Sequence, residues 1–337
     1  MNDLHLDEAF PYGTPEDRNG IFREGYFFGC MDYPYNVYDA IVIRSPDRCT
    51  AWRAAYDVSG RSLQEHIAFI NEYKLKKAII IADNLDFLEE CPTLTRFCIV
   101  PADTAANHFD YSPLYRREKI EYFHCDTEYG GLKPDKKTTV DLAKLPQLEE
   151  LNIHWEKGTK NYEGTTTLKR LMINRRLDFR DLHSIAGNTH LQDLEAVLCG
   201  LRNLNGIEAF PELRHLCLWY CRNIADISDL ASVKDSLEIL TIEKCPKIKD
   251  FSVLSSMKSL RWLKLVGSNK LPDLEFLREL PNLEAFTFDM DVDNGDLRPC
   301  MQIPSVMLIR NRKHFNLKND QLPRKRGPGK DKMRYGY

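Results

Sequence analysis

Apolar residues return at one fixed rhythm through the second half of this chain. From Leu213 the sequence reads LRHLCLWYCRNIADISDL, with Leu213, Leu216, Leu218, Ile224, Ile227 and Leu230 apolar and Cys221 between them. From Leu237 it reads LEILTIEKCPKIKDFSVL, in the same register without a gap. From Leu260 it reads LRWLKLVGSNKLPDLEFL, with Ser268 where the cysteine stood. Further copies open at Leu168, Leu191, Leu283 and Ile303, and weaker ones at Leu75, Leu94, Ile120 and Leu148. From Leu168 onward the starts fall 20 to 24 residues apart. The first part of each copy alternates as a strand does, and the spacing of three that follows suits a helical or 3-10 return segment. One such unit cannot bury its own apolar face, so the period demands a stack of units, a solenoid.

The pattern resembles the leucine-rich-repeat superfamily in its short-repeat bacterial form. Internalin-type repeats are most similar, through their return segment I-x-D-I-x-x-L, here Ile224, Asp226, Ile227 and Leu230. The resemblance covers roughly residues 75 to 317 and is specific from 168 to 317. It implies an α/β fold of about ten repeats, a curved parallel sheet on the concave face with short helical or 3-10 return segments. The departure lies at the ninth repeat position. Asparagine is usual there, whereas this chain has Cys199, Cys221, Cys245, Ser268 and finally Asn311. That side chain is expected to point inward and satisfy backbone groups exposed by the turn, a task a thiol performs weakly while packing as a small hydrophobe. A metal or disulfide ladder is the alternative, but zinc sites usually show paired ligands at short spacing.

Outside the repeat, residues 1–74 are rich in Tyr, Phe and Gly. GYFFGCMDYPYNVYDAIVI reads as one or two strands ending near Ile43. SLQEHIAFINEYK opens with a capping box, Ser62 and Glu65, ahead of a helix with Leu63, Ile67 and Ile70 on one face. This segment is expected to cap the solenoid of residues 75–317. GGLKPDKK, Gly130 to Lys137, reads as a loop inserted between repeats. Residues 318–337 are expected to form a basic, disordered tail. From Leu322 onward there are six Lys or Arg and one Asp, against a formal net charge of −3 for the whole chain. The remainder therefore carries about −8, an acidic body with a basic end. The start, MNDLHLDEAF, has neither a basic n-region nor an apolar stretch, and runs such as Ala78 to Ala82 are too short to span a bilayer. The expectation is a cytoplasmic protein with its 10 cysteines reduced.

No P-loop, GxGxxG, HExxH or GxSxG motif is present, and none of the nine histidines forms a pair with an acid or cysteine that the sequence makes recognisable. DMDVDNGD, Asp289 to Asp296, resembles the start of a calcium loop, but Gly295 is one residue late and Cys300 stands where the bidentate acid belongs. Cys217, fifth in its repeat, is expected to face outward as a small surface residue; a reactive thiol would need a lowered pKa.

The resemblance implies that repeat positions three, five, seven and eight face outward on the concave sheet. Those positions hold His154, Trp155, Arg170, Arg175, His215, Trp219, Tyr220, Glu243, Trp262 and Lys264, including three of the four tryptophans. Trp, Tyr and Arg are enriched in binding hot spots. The expectation is a non-catalytic protein-binding module, a monomer in isolation that needs no cofactor or metal. By analogy with the family it would be a toxin-neutralising (immunity) protein, and its acidic body would suit a basic partner. The first alternative is nucleic-acid association through Arg324, Lys325, Arg326 and Lys330. The second is an enzyme with its site in the N-terminal segment.

Overall fold

The computed structural model describes residues 21–29, 39–44, 60–101, 109–125, 140–145, 147–154, 161, 164–176 and 178–324. The chain divides into two compact units, one ending at Asn161 and the other running from Tyr162 to Gly327.

In the first unit, strands β1 (Ile21–Arg23), β2 (Tyr26–Gly29) and β3 (Ala40–Arg44) pair antiparallel. Helix α1 (Leu63–Tyr73) follows, with the capping box the sequence predicted: Ser62 Oγ accepts from Glu65 N, and Glu65 Oε2 accepts from Ser62 N at 2.8 Å. The parallel ladder then runs from β3 through β4 (Lys77–Ala82), β5 (Arg96–Pro101), β6 (Tyr122–Cys125) and β7 (Glu150–His154), with the short helix α2 (Ser112–Tyr115) between β5 and β6. Its first strands are buried on both faces. Ile41, Ile43, Ala78 and Ile80 point to one side, and Phe27, Ala40, Val42, Ile79, Ile81 and Val100 form a second apolar cluster on the other. A strand buried on both faces reads as a continuous apolar run, as KAIIIA does. That is why the repeat signal is weak here.

In the second unit every strand is parallel. The ladder comprises β8 (Arg170–Asn174), β9 (Asp193–Val197), β10 (His215–Trp219), β11 (Ile239–Glu243) and β12 (Trp262–Val266). Strands β13 (Lys270–Leu271) and β15 (Asp291–Val292) pair separately, while β14 (Ala285–Phe288) and β16 (Ser305–Leu308) continue the main ladder. Leu168, Leu191, Leu213, Leu237, Leu260, Leu283 and Ile303, the first residue of each repeat, are all buried. Burying one such side chain contributes about 1.5–3 kcal/mol. The returns are 3-10 turns such as Ser228–Val233, Ser252–Ser256 and Glu275–Glu279.

Three local devices repeat along this unit. The eighth residue of each copy takes a left-handed backbone: φ is 63° at Arg175, 53° at Leu198, 54° at Tyr220 and 53° at Lys244. That costs roughly 1–2 kcal/mol for a residue with a side chain. In exchange its N–H reaches the next strand, from Arg175 to Val197 O, Leu198 to Trp219 O, Tyr220 to Glu243 O and Lys244 to Val266 O, each within 2.8 Å. The ninth-position thiols point inward, as the sequence predicted. Cys199 donates to Ile173 O at 3.3 Å, Cys221 to Ala196 O at 3.2 Å and Cys245 to Leu218 O at 3.5 Å, each the sixth-position carbonyl of the copy before. Burial pushes the Cys199 thiol up to about 12. In the next copy the register slips by one at Gly267: Ser268 is exposed and Asn269 turns in, donating to Cys245 O at 3.1 Å and Ile248 O at 2.6 Å. Asn311 does not point inward; it is exposed and accepts from Asn319 N at 2.8 Å.

The third device explains the aspartate of the return motif. Asp226 Oδ1 accepts from Ser228 N, Asp250 Oδ1 from Ser252 N and Asp273 Oδ1 from Glu275 N, each at 2.8 Å, folding the chain into the 3-10 turn. The backbone bond from Ser228 or Ser252 holds the carboxyls of Asp226 and Asp250 below the usual carboxylate range. A carboxyl whose folded pKa is depressed stabilises the fold above its unfolded pKa, and that contribution is lost as pH falls through the folded value. We expect the Tm of the chain to drop progressively below about pH 4. An Asp226→Asn, Asp250→Asn double variant, which keeps the acceptor oxygen without the charge, should show a smaller drop in parallel thermal melts.

The end of the second unit is ordered further than the sequence suggested. Leu322 is buried, Val306 N bonds Pro323 O at 2.8 Å and Arg324 bridges Ser305, so 318–324 complete the sheet edge. The acids of DMDVDNGD are held by cations. Arg310 forms a bidentate pair with Asp289 at 2.7 Å to each oxygen, Arg312 Nε lies 3.2 Å from Asp291, and Lys270 lies 3.2 Å from Asp293.

Candidate interaction surface

On the outward face of the second unit, alternation places three rows of side chains across the ladder. The parallel registers align Arg170, Asp193, His215, Ile239, Trp262 and Ala285 in one row. The second row is Met172, Glu195, Cys217, Thr241, Lys264, Thr287 and Met307. The third is Asn174, Val197, Trp219, Glu243 and Val266. Neighbouring strands lie about 4.8 Å apart, so side chains within a row cover one another.

The first row is mostly closed to solvent. His215 is 3% exposed and lies 3.6 Å from Asp193, which Arg170 meets on its other side at 3.4 Å. Trp262 is 7% exposed, between Ile239 and the small Ala285. The sequence placed His215 and Trp262 on the correct face, but neighbours cover both. In the second row burial raises the Glu195 carboxyl, with Asp193 acting in the same sense and His215 and Arg170 opposing it. Cys217 is half-buried, and burial, reinforced by Glu195, raises its thiol. It is therefore a poor nucleophile. Lys264 pairs with Glu243 at 3.1 Å.

The third row is where a large side chain remains open. Trp219 is 43% exposed. Its ring centroid lies 5.6 Å from that of Tyr220, whose hydroxyl Lys244 Nζ meets at 2.5 Å while sitting 4.7 Å from the ring centroid. Arg175 is exposed at the equivalent turn of β8. Near the other end of the ladder, Met307 and Ile309 are 57% and 48% exposed at the fifth and seventh positions of their repeat. Counting outward positions from Ile303 in sequence finds both residues, beyond the copies from which the candidate residues were drawn.

His154 closes β7 in the first unit. Trp155, Lys325, Arg326 and Lys330 lie outside the described residues. Arg324 donates to Asn319 O at 3.4 Å. No group of three or more His, Cys, Asp or Glu among the described residues is arranged to hold a metal ion. No helix among them is long and apolar enough to cross a membrane.

No protein-family model and no curated protein sequence matches the chain. Solved structures do. An internalin, InlF, from Listeria monocytogenes superposes with a TM-score of 0.53 at 17% identity, over 72% of this chain and 76% of that one. Internalin C2 of the same organism gives 0.34 at 20% identity, over 49% of this chain and 62% of its own. A leucine-rich-repeat protein of Leptospira interrogans gives 0.38 at 12% identity, over 73% and 79%. The parallel ladders, the 3-10 returns and the superposition on InlF agree: this chain has the leucine-rich-repeat fold.

Proposed function

We propose that the chain is a protein-binding module that engages its partner, without catalysis at that surface, through the outward face of the second unit, centred on Trp219. The exposed indole carries the reading. The core does not use it, and an exposed aromatic with a tyrosine beside it and apolar Met307 and Ile309 on the same face is hot-spot composition. Leucine-rich-repeat proteins in general bind proteins, and solenoids present broad surfaces suited to that task. The partner class we favour is a basic protein, since the chain without its terminal basic run carries about −8. A toxin neutralised by this chain is the case the analogy with bacterial repeats suggests, in the cytoplasm.

The test is affinity capture of the full chain from its native host, beside Trp219→Ala. We expect one stoichiometric partner whose affinity falls about thirtyfold in the variant, the equivalent of ~2 kcal/mol. The variant should keep its circular dichroism spectrum and its Tm to within about 2 °C, as surface changes usually do. Capture indifferent to Trp219 would move the contact elsewhere.

A further inference from the structure

In the first unit, the fifth position of three successive strands brings Cys98, His124 and Asn152 into one row on the outward face. The registers pair Cys98 of β5 with His124 of β6, and His124 with Asn152 of β7. Cys98 Sγ lies 3.5 Å from His124 Nδ1, and all three residues are half-buried. Asn152 lies on the strand beyond His124, on the side away from Cys98. Its Oδ1 is shielded from solvent and has no hydrogen-bond partner among the described residues. A buried carbonyl left unpaired costs about 1–3 kcal/mol, so an acceptor kept beside an imidazole calls for a reason. The Nε2–H that the ring carries whenever its Nδ1 is free to take the thiol proton supplies one.

We propose that Cys98, His124 and Asn152 form a nucleophilic thiol site whose substrate is a disulfide. His124 Nδ1 takes the Cys98 proton, and Asn152 Oδ1 accepts from Nε2–H of the imidazolium, which makes Asn152 a positioning residue. The thiolate attacks one sulfur of the substrate disulfide, whose S–S bond breaks as the bond to Cys98 Sγ forms. The departing thiolate takes the proton from His124 and leaves as a thiol. Cys98 is oxidised and the departing sulfur reduced, so the disulfide is itself the oxidant.

The same three residue types serve thiol proteases, but acyl transfer also needs N–H donors aimed at a developing oxyanion. Strand β5 is paired on both sides, so its N–H groups are committed to the ladder. Disulfide exchange builds its charge on sulfur and needs no such donors. Ile79 flanks Cys98 on the side away from His124 and Val100 lies two residues on, an apolar wall suited to a soft sulfur. The charged and titratable groups of the adjacent row are paired: Lys77 with Asp39 at 2.5 Å, and Arg96 with Glu150 at 3.0 Å, across the Tyr122 ring. This site lies in the other unit from Trp219 and does not depend on the proposed binding surface.

The experiment is alkylation of the full chain by iodoacetamide from pH 6 to pH 8, read at each cysteine by peptide mass. An ordinary thiol slows roughly eightyfold between pH 8 and pH 6, following its thiolate fraction. We expect Cys98 to slow less than fivefold. His124→Gln should restore the ordinary profile, and Asn152→Ala should move it partway, while Cys217 in the same samples follows its own profile unchanged. Oxidised glutathione should add one glutathione at Cys98. An ordinary pH profile at Cys98 in the unmodified protein overturns the proposal whether or not the variants fold. So does a His124→Gln profile equal to that of the parent, or the absence of a glutathione adduct at Cys98.

Discussion

Trp262→Ala should destabilise the second unit by about 3–5 kcal/mol, the cost of emptying a buried aromatic position. The indole is 7% exposed although its strand position faces away from the leucine core. At roughly 2–4 °C per kcal/mol for a unit of this size, the melting transition should fall by about 10 °C or more. Trp219→Ala removes the same atoms from the same face, 43 residues earlier in sequence, and should barely move it. The contrast follows from the neighbours. Trp262 has Ile239 and Ala285 in line with it, while Trp219 stands in the outer row near the turn. In a repeat array the loss falls first on the interfaces with the adjoining copies, so hydrogen exchange should quicken in β11, β12 and β14 before it does in β8. Trp262→Phe retains most of the volume and should cost less than half as much. A Trp262→Ala protein melting alongside Trp219→Ala would mean that the indole is not packed.

What the sequence shows plainly is direction, and what it hides is depth. The buried leucines, the thiols that turn inward and the aspartates that start each return were all legible, because each rests on a local rule repeated many times. His215 and Trp262 were legible as outward residues but not as covered ones. Their cover comes from Asp193, Ile239 and Ala285, residues more than 20 positions away along the chain. The register slip at Gly267 moved the ninth-position task from Ser268 to Asn269, which a strict count could not detect. The pair of Cys98 and His124 was within reach. The weak copies that open at Leu94 and Ile120 put both at position five, but burial on both faces of the first strands blurred the repeat there.

Asn188→Ala should be nearly as damaging as Trp262→Ala, through polar groups rather than volume. Asn188 is fully buried. Its Oδ1 accepts from Leu168 N at 3.1 Å, and its Nδ2 donates to Ile185 O at 3.1 Å and Thr165 Oγ1 at 3.2 Å. One side chain thus closes the return of its own copy and ties it to the start of β8. Alanine leaves the Leu168 N–H buried without an acceptor and strips a donor from Thr165, at about 1–3 kcal/mol for each group. We expect a loss of roughly 3 kcal/mol on that basis. Asn188→Asp separates the two sides of the network. A carboxylate still accepts from Leu168 N but meets the Ile185 carbonyl without a proton to offer, so burial holds its folded pKa above the unfolded one. For such a group the folded state binds more protons, and stability falls as pH rises between the two pKa values. The aspartate variant should therefore recover part of its loss between pH 7 and pH 5 in urea melts, where the parent gains nothing. Recovery at low pH identifies the donated hydrogen bond as the larger contribution. Equal destabilisation at both values would place it in the bond accepted from Leu168.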